Sequence, residues 1–106
     1  MLNEKKRIAE LKKMQSSATK ACEFLKVLSN PSRLMLLCEI ALEERCVGDL
    51  EGSTGIHQPT LSQQLTVLRT KKLVKTRREG KQIYYSLSSD ITLSVMNLLY
   101  SHYCKN

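Results

Sequence analysis

The spacing of apolar residues divides the first part of the chain into two helices. From Glu4 to Leu28, apolar side chains recur at every third or fourth position, the period of an amphipathic helix, with Ser16-Ser17 as a candidate interruption. Asn30-Pro31 then supplies an N-cap residue followed by proline at the first helical position. This signal predicts a second helix from about Pro31 to Leu42. Because that helix is apolar on nearly every side, we expect it at the centre of a domain.

Two short helices joined by a turn follow, and they predict a helix-turn-helix. The run Val47-Gly48-Asp49-Leu50-Glu51 begins the first helix, and Gly55 ends it in the manner of a C-terminal glycine. Pro59 opens the second helix, in which leucines form a single apolar stripe. These leucines are Leu61, Leu65 and Leu68, and the polar, mostly uncharged residues beside them are Gln58, Thr60, Ser62, Gln63 and Gln64.

After Lys72 the period changes to two, which predicts a β-hairpin. Residues 74–78 and 83–87 alternate in polarity, and the turn between them contains Glu79-Gly80-Lys81. The run 88–90 offers caps for a last helix, whose apolar positions continue toward Tyr103 and Cys104. The order of four helices, a hairpin and a final helix predicts a mainly α fold with a β-hairpin wing, of the α+β class.

Length and charge narrow the possible functions. The 106 residues fit one domain, so we expect residues 1–106 to fold as a single unit. Lys and Arg number 17 against 10 acidic residues, and the net charge of +7 favours a polyanionic partner. The longest apolar run, Leu34–Cys38, is far shorter than the roughly 20 residues of a membrane span, and the N-terminus lacks an apolar signal segment. We therefore expect a cytoplasmic protein with no membrane partner.

The residues that usually carry catalysis or hold a metal are sparse. Four cysteines (Cys22, Cys38, Cys46 and Cys104) are widely spaced without a C-x-x-C pair, unlike a zinc knuckle or a secreted disulfide framework. The histidines are His57 and His102, and there is no Gly-rich phosphate loop, G-x-S-x-G or H-E-x-x-H motif. We expect free thiols in a reducing cytosol, no enzymatic activity and no cofactor.

Basic residues are concentrated from Arg69 to Lys81, where seven Lys or Arg accompany one acidic residue, Glu79. Arg and Lys suit phosphates, whereas the amides and hydroxyls of the adjacent helix can both donate to and accept from base edges. Each feature alone is typical of a solvated surface, but together they favour nucleic-acid binding. The predicted contacts are Gln58, Thr60, Ser62, Gln63 and Gln64 for base edges and nearby phosphates, and Arg77, Arg78, Lys81 and Gln82 for the wing.

These motifs resemble the arsenic-repressor (ArsR) family of winged-helix transcriptional regulators over about residues 18–104. The resemblance rests on the runs 57–65, 68–69, 73–74, 77–81 and 84–87, which read HQPTLSQQL, LR, LV, RREGK and YYSL. It implies that Pro59–Thr70 is the recognition helix, that 74–87 is the wing, and that the first and last helices build a homodimer. A two-fold dimer would read palindromic operator DNA, with each recognition helix in a major groove one turn from its mate.

Members of this family commonly sense metals, but two familiar metal sites are incomplete here. In Cys46-Val47-Gly48-Asp49-Leu50, glycine replaces the second thiolate of the C-V-C-D-L metal motif. The family's other familiar metal site lies in the last helix, and only Asp90 and His102 are available for it here. Thr92 stands where the first histidine is expected, and the spacing to His102 differs by one residue from that of the family motif. We assign no metal ligands, and metal sensing stays an alternative.

The positions of Cys38 and Cys104 resemble the cysteine pair of the family's thiol-based, reactive-sulfur-sensing subgroup, of the BigR, SqrR and HlyU type. That resemblance implies a disulfide or polysulfide bridge formed in response to oxidants or reactive sulfur species. From the residues alone, Cys46 has the better setting for a thiolate, at a helix N-terminus beside Arg45. Cys22 is expected to pack in the core.

The sequence therefore predicts a homodimeric repressor that binds operator DNA when reduced and is released when Cys38 and Cys104 are bridged. Two alternatives stay open. One is a metal-sensing repressor of the same family. The other is a DNA-binding activator or anti-repressor without thiol switching.

Overall fold

The computed structural model describes residues 2–104, and the element order agrees with the sequence prediction except for one additional short strand. Five helices and three strands follow one another along the chain. They are α1 (Leu2–Leu28), α2 (Pro31–Leu42), β1 (Arg45–Cys46), α3 (Val47–Thr54), α4 (Thr60–Thr70), β2 (Val74–Glu79), β3 (Gln82–Leu87) and α5 (Asp90–Tyr103). The fold is mainly helical with a small antiparallel sheet as its wing, so the predicted fold class is confirmed.

Helix α1 is continuous, and the candidate interruption at Ser16-Ser17 was wrong. Serine costs a helix only a fraction of a kcal/mol relative to alanine, roughly 0.5, and the flanking Lys, Gln and Ala residues favour the helix. Only the end of α1 joins the core, through Val27 and Leu28. None of the helices within residues 2–104 combines the length and apolar character that a membrane crossing requires.

Helix α2 occupies the centre, as its nearly all-round apolar pattern predicts. Asn30 caps it by accepting a hydrogen bond at Oδ1 from the backbone N–H of Arg33, at 3.1 Å. Leu36, Leu37 and Ile40 are buried, and α2 contacts each of the other four helices as well as strand β3. The positions of the other elements are therefore set largely by their packing against α2.

Helices α3 and α4 form the predicted helix-turn-helix. Gly55 ends α3 in the left-handed conformation, with φ +72°, and its N–H donates to the carbonyl oxygen of Glu51 at 3.0 Å. Leu50 of α3 and Leu61, Leu65 and Leu68 of α4 are all buried in the same core cluster. Pro59 precedes the first residue of α4 as its N-cap, so the helix begins one residue later than the sequence predicted.

The sheet has three strands in the order β1-β3-β2, all antiparallel. The sequence predicted only the hairpin of β2 and β3. Strand β1 was missed because its two residues are too few to show alternation. Arg45 pairs with Tyr85, and this pairing joins the wing to the segment that links α2 with α3.

Glycines 52 and 55 give opposite predictions for stability. No heavy atom lies within 4 Å of a Cβ built on either residue, so backbone conformation decides both effects. Gly52→Ala lies inside α3 and should stabilise the fold by about 0.5–1 kcal/mol. Gly55→Ala should cost about 1–2 kcal/mol, because alanine disfavours a positive φ. Urea unfolding at one fixed protein concentration measures both changes, and equal effects of the two substitutions would contradict this assignment.

Candidate nucleic-acid interface and thiol site

The recognition helix predicted from the sequence has one buried face and one exposed face. Leu61, Leu65 and Leu68 are almost fully buried. On the opposite side the small polar residues are exposed, and they include Thr60, Ser62 and Gln63. Hydroxyl and amide groups on an exposed helix surface can reach base edges in a major groove. This exposed surface of α4 can therefore contact base edges and read the DNA sequence.

Two of the glutamines predicted to contact bases have partners within the protein. Gln58 Oε1 accepts a hydrogen bond from the backbone N–H of Ser62 at 3.0 Å, which satisfies a free donor in the first turn of α4. Gln64 is half-buried, and its Oε1 accepts from Arg33 Nη1 at 2.9 Å. Both side chains hold α4 in place. Gln63, in contrast, is exposed.

Arg33 connects three helices through one guanidinium. Besides its bond to Gln64, its Nε donates to the carbonyl oxygen of Val27 at 2.6 Å, and its Nη2 donates to that of Lys26 at 3.3 Å. These carbonyls belong to the last turn of α1, where backbone acceptors have no partner within the helix. Arg33 therefore fixes α4 relative to both α1 and α2.

The basic residues of the wing differ in how freely they can contact DNA. Arg77 donates to both carboxylate oxygens of Glu44, at distances down to 2.6 Å, and to Glu79 at 2.7 Å. It also lies 4.6 Å from the centre of the Tyr84 ring. These hydrogen bonds lower the pKa of Glu44 and raise that of Arg77. Arg77 is thus a cation largely neutralised by two carboxylates, and it attaches the wing to the segment that follows α2.

The other predicted wing contacts are exposed near the hairpin turn. Arg78 Nε donates to the carbonyl oxygen of Gly80 at 3.1 Å, and within residues 2–104 Arg78 forms no ion pair. Lys81 and Gln82 are also exposed. An unpaired guanidinium beside a turn is suited to a phosphate contact. Arg78 and Lys81 are therefore better placed than Arg77 to supply charge to DNA.

Cys38 and Cys104 line one cavity. Cys38 lies on α2, is half-buried and has its Sγ 4.0 Å from Met96 Sδ, whereas Cys104 is exposed at the end of α5. The cavity between α2, α3 and α5 has a volume of about 430 Å³. The structure therefore brings together two thiols that are 66 residues apart in the sequence.

The environment of Cys38 favours the protonated thiol. Burial raises its pKa above that of an ordinary cysteine, and electrostatic repulsion from the neighbouring acidic groups, the Cys104 thiol and the Glu39 carboxylate, raises it further. Because the thiolate is the nucleophile, Cys38 is less reactive than a solvated cysteine at neutral pH. The exposed Cys104 is free of the burial that suppresses the reactivity of Cys38.

The other two cysteines lie outside this cavity. Cys46 stands before α3 as the sequence predicts, but it is buried. Cys22 is exposed on α1, so its predicted place in the core was wrong. The reason is that the middle of α1 extends beyond the core, which α1 joins only near Phe24 and Val27.

The side chains of the two incomplete metal motifs have other contacts. Asp49 Oδ2 accepts from the backbone N–H of Cys46 at 3.4 Å, Thr92 is buried beside the cap residue Ser89, and His102 packs against Tyr103. Within residues 2–104, no three His, Cys, Asp or Glu side chains converge in a way that could hold a metal ion.

Comparison with known proteins identifies the family. Residues 30–76 match the family described as "Bacterial regulatory protein, arsR family". The biofilm growth-associated repressor of Agrobacterium fabrum is 48% identical over 91 residues, which cover 86% of this chain and 78% of that protein. The chain belongs to the arsR family. This family consists of DNA-binding transcriptional regulators, so the expectation that the protein is not an enzyme is confirmed.

Two solved structures share both the arsR-family fold and considerable sequence identity. The transcriptional repressor BigR from Xylella fastidiosa has a TM-score of 0.80 and 46% identity, over 88% of this chain and 92% of that one. Reduced HlyU from Vibrio cholerae has a TM-score of 0.83 and 37% identity, over 87% and 97%. The predicted resemblance to winged-helix regulators of this family is confirmed.

Proposed function

We propose that this arsR-family protein is a homodimeric, cytoplasmic transcriptional repressor that binds palindromic operator DNA while Cys38 and Cys104 are reduced. A disulfide or polysulfide bridge between these cysteines, formed by oxidants or reactive sulfur species, releases the DNA. The observation that carries the proposal is the shared cavity of the two thiols, which come from different helices. The similarity to a biofilm growth-associated repressor and to BigR supports the repressor role. The proposed switch requires no cofactor.

The dimer is supported by apolar surface at both ends of the chain. On α1, Ile8, Leu11 and Met14 are exposed, and on α5, Ile91 and Leu98 are 60% and 68% exposed. Exposed apolar residues that share one face of a helix are typical of an interaction site. Association of these helices with those of a second copy would bury these residues and place two recognition helices on one operator.

The bridging chemistry balances with either class of effector. With a peroxide ROOH, the two thiols give up two protons and two electrons, the O–O bond breaks, and the products are a disulfide, ROH and water. With a hydropersulfide RSSH, each thiol accepts one sulfur and releases RSH. The two protein persulfides then condense to a trisulfide and release H₂S. Cys104 reacts first, because it is exposed while burial suppresses Cys38.

A bridge between α2 and α5 can affect DNA binding because α2 also holds the recognition helix. Cys38 and Arg33 lie on the same helix, and Arg33 bonds to Gln64 of α4. A covalent constraint that moves α2 against α5 would change the angle at which α4 is presented. The reduced and bridged proteins are the two states of the proposed switch.

The thiol switch is tested by treating the reduced protein with glutathione persulfide and, separately, with peroxide. Intact mass is measured without reductant, together with affinity for an operator selected from random duplexes by the reduced protein, at one salt concentration. In the wild type we expect a bridge and DNA binding that is about 5- to 150-fold weaker. This fold-change corresponds to typical coupling free energies between two sites.

Cys38→Ser and Cys104→Ser should abolish both changes. Cys22→Ser is the matched control and should behave like the wild type, because Cys22 is exposed but lies outside the cavity. If neither glutathione persulfide nor peroxide produced a bridge, the proposed switch would be refuted. Equal operator affinity before and after bridging would favour a regulator whose thiols have no role.

The proposed DNA contacts are of two kinds, those that recognise bases and those that bind the charged phosphates. Gln63→Ala should relax discrimination at one base pair by about 1–3 kcal/mol, because an exposed amide in the major groove reads a base edge. Arg78→Ala should weaken binding to all sequences alike and flatten the salt dependence by about one unit. Arg77→Ala is the control for charge and should change the salt dependence less, because Glu44 and Glu79 already neutralise it. A change of operator preference in Arg78→Ala, without general weakening, would contradict this division.

A further inference from the structure

The cavity that contains both thiols has the size of a small-molecule site. Its volume of about 430 Å³ falls within the range of roughly 300–1,000 Å³ that is typical of such sites. Its walls are largely apolar, and Leu34, Leu99 and Tyr100 contribute to them. Met35, Leu42 and Tyr103 also line it and are 47%, 62% and 77% exposed, so its mouth is apolar as well. A molecule that reaches Cys38 through this cavity passes mainly hydrocarbon.

The charge of the cavity opposes anions. Among the lining residues that the structure describes, Glu39 carries the one carboxylate, and none is Lys, Arg or His. Arg45, which pairs with Glu39 at 3.1 Å, does not line the cavity. An anion entering it would lose hydration without gaining a cationic partner among residues 2–104, which is costly in an apolar environment. A neutral molecule with an apolar group avoids that cost.

We propose that this cavity selects the effector, and that it binds hydropersulfides RSSH whose R group is small, apolar and uncharged in preference to those whose R group is anionic. This inference rests on the proposed thiol switch and specifies the substrate class of the same site. The apolar group R occupies the cavity, and its S–S bond is held near both thiols. Cys104 attacks the outer sulfur of RSSH, a new S–S bond forms at Cys104 and the S–S bond of the donor breaks. The donor leaves as RSH with the proton that Cys104 gives up.

The test compares two donors of the same sulfur atom, benzyl hydropersulfide and glutathione persulfide, on the reduced full chain. Sulfur addition and bridging are followed by quenched intact-mass measurements. Each rate is divided by the rate of the same donor with a free cysteine ester at the same pH, which removes the intrinsic reactivity of the donor. We expect the normalised rate to be at least about tenfold higher for the benzyl compound, since apolar burial favours it and the unpaired charge disfavours its competitor.

A cation placed at the mouth of the cavity should reduce this preference severalfold. Met35→Lys and Leu42→Lys replace exposed residues and leave the buried core unchanged. Glu4→Gln, on the exposed face of α1, is the control, because it changes the net charge by the same amount as either lysine substitution and lies outside the cavity. Glu4→Gln should retain the wild-type preference.

The possible failures are distinguishable. Bridging at equal normalised rates with both donors would overturn the proposed selectivity and leave the thiol switch intact. A preference that survives both lysine substitutions would also overturn the inference, because the cavity would not be its origin. No bridge with either donor, while peroxide still forms one, would overturn the inference and leave the thiol switch intact. No bridge with peroxide as well would overturn the proposed function, and the inference with it.

Discussion

The burial of helix α2 is the constraint on which the rest of the structure depends. Leu36, Leu37 and Ile40 are 0%, 0% and 3% exposed. Burying each side chain contributes about 1.5–3 kcal/mol relative to leaving it in water. Because α2 contacts every other helix and β3, it sets the spacing between the DNA-facing elements and the thiol cavity. A close-packed interior cannot absorb a shift of its central helix without shifts in its neighbours.

Polar contacts at both ends of α2 extend this packing to the DNA-facing elements. At the N-terminal end, Arg33 links α2 to the recognition helix through Gln64. At the C-terminal end, Arg45 pairs with Glu39, which is adjacent in sequence to Cys38. Glu44, two residues beyond the end of α2, binds Arg77 of the wing. One helix therefore carries a thiol of the proposed switch and contacts both the recognition helix and the wing.

The sequence predicts those elements that have a periodic pattern or a cap. The alternation at 74–78 and 83–87 gave the hairpin, Asn30-Pro31 gave the start of α2, and the leucine stripe gave the buried face of α4. Contacts between distant residues leave no such local signal. The Arg33–Gln64 and Arg77–Glu44 bonds join residues 31 and 33 positions apart, so two predicted DNA contacts proved to have partners within the protein. The cavity could not be predicted from the sequence either, since it forms only where three helices pack together.

The measurement that tests the account most directly is amide hydrogen exchange of the DNA-free protein in its reduced and bridged forms. If α2 couples the thiols to the DNA-facing elements, bridging should change exchange in α4 and the wing as well as in α2 and α5. A Cys104→Ser sample treated with the same reagent should match the reduced wild type. Changes confined to the surroundings of Cys38 and Cys104, with α4 and the wing unaltered, would contradict the coupling through α2.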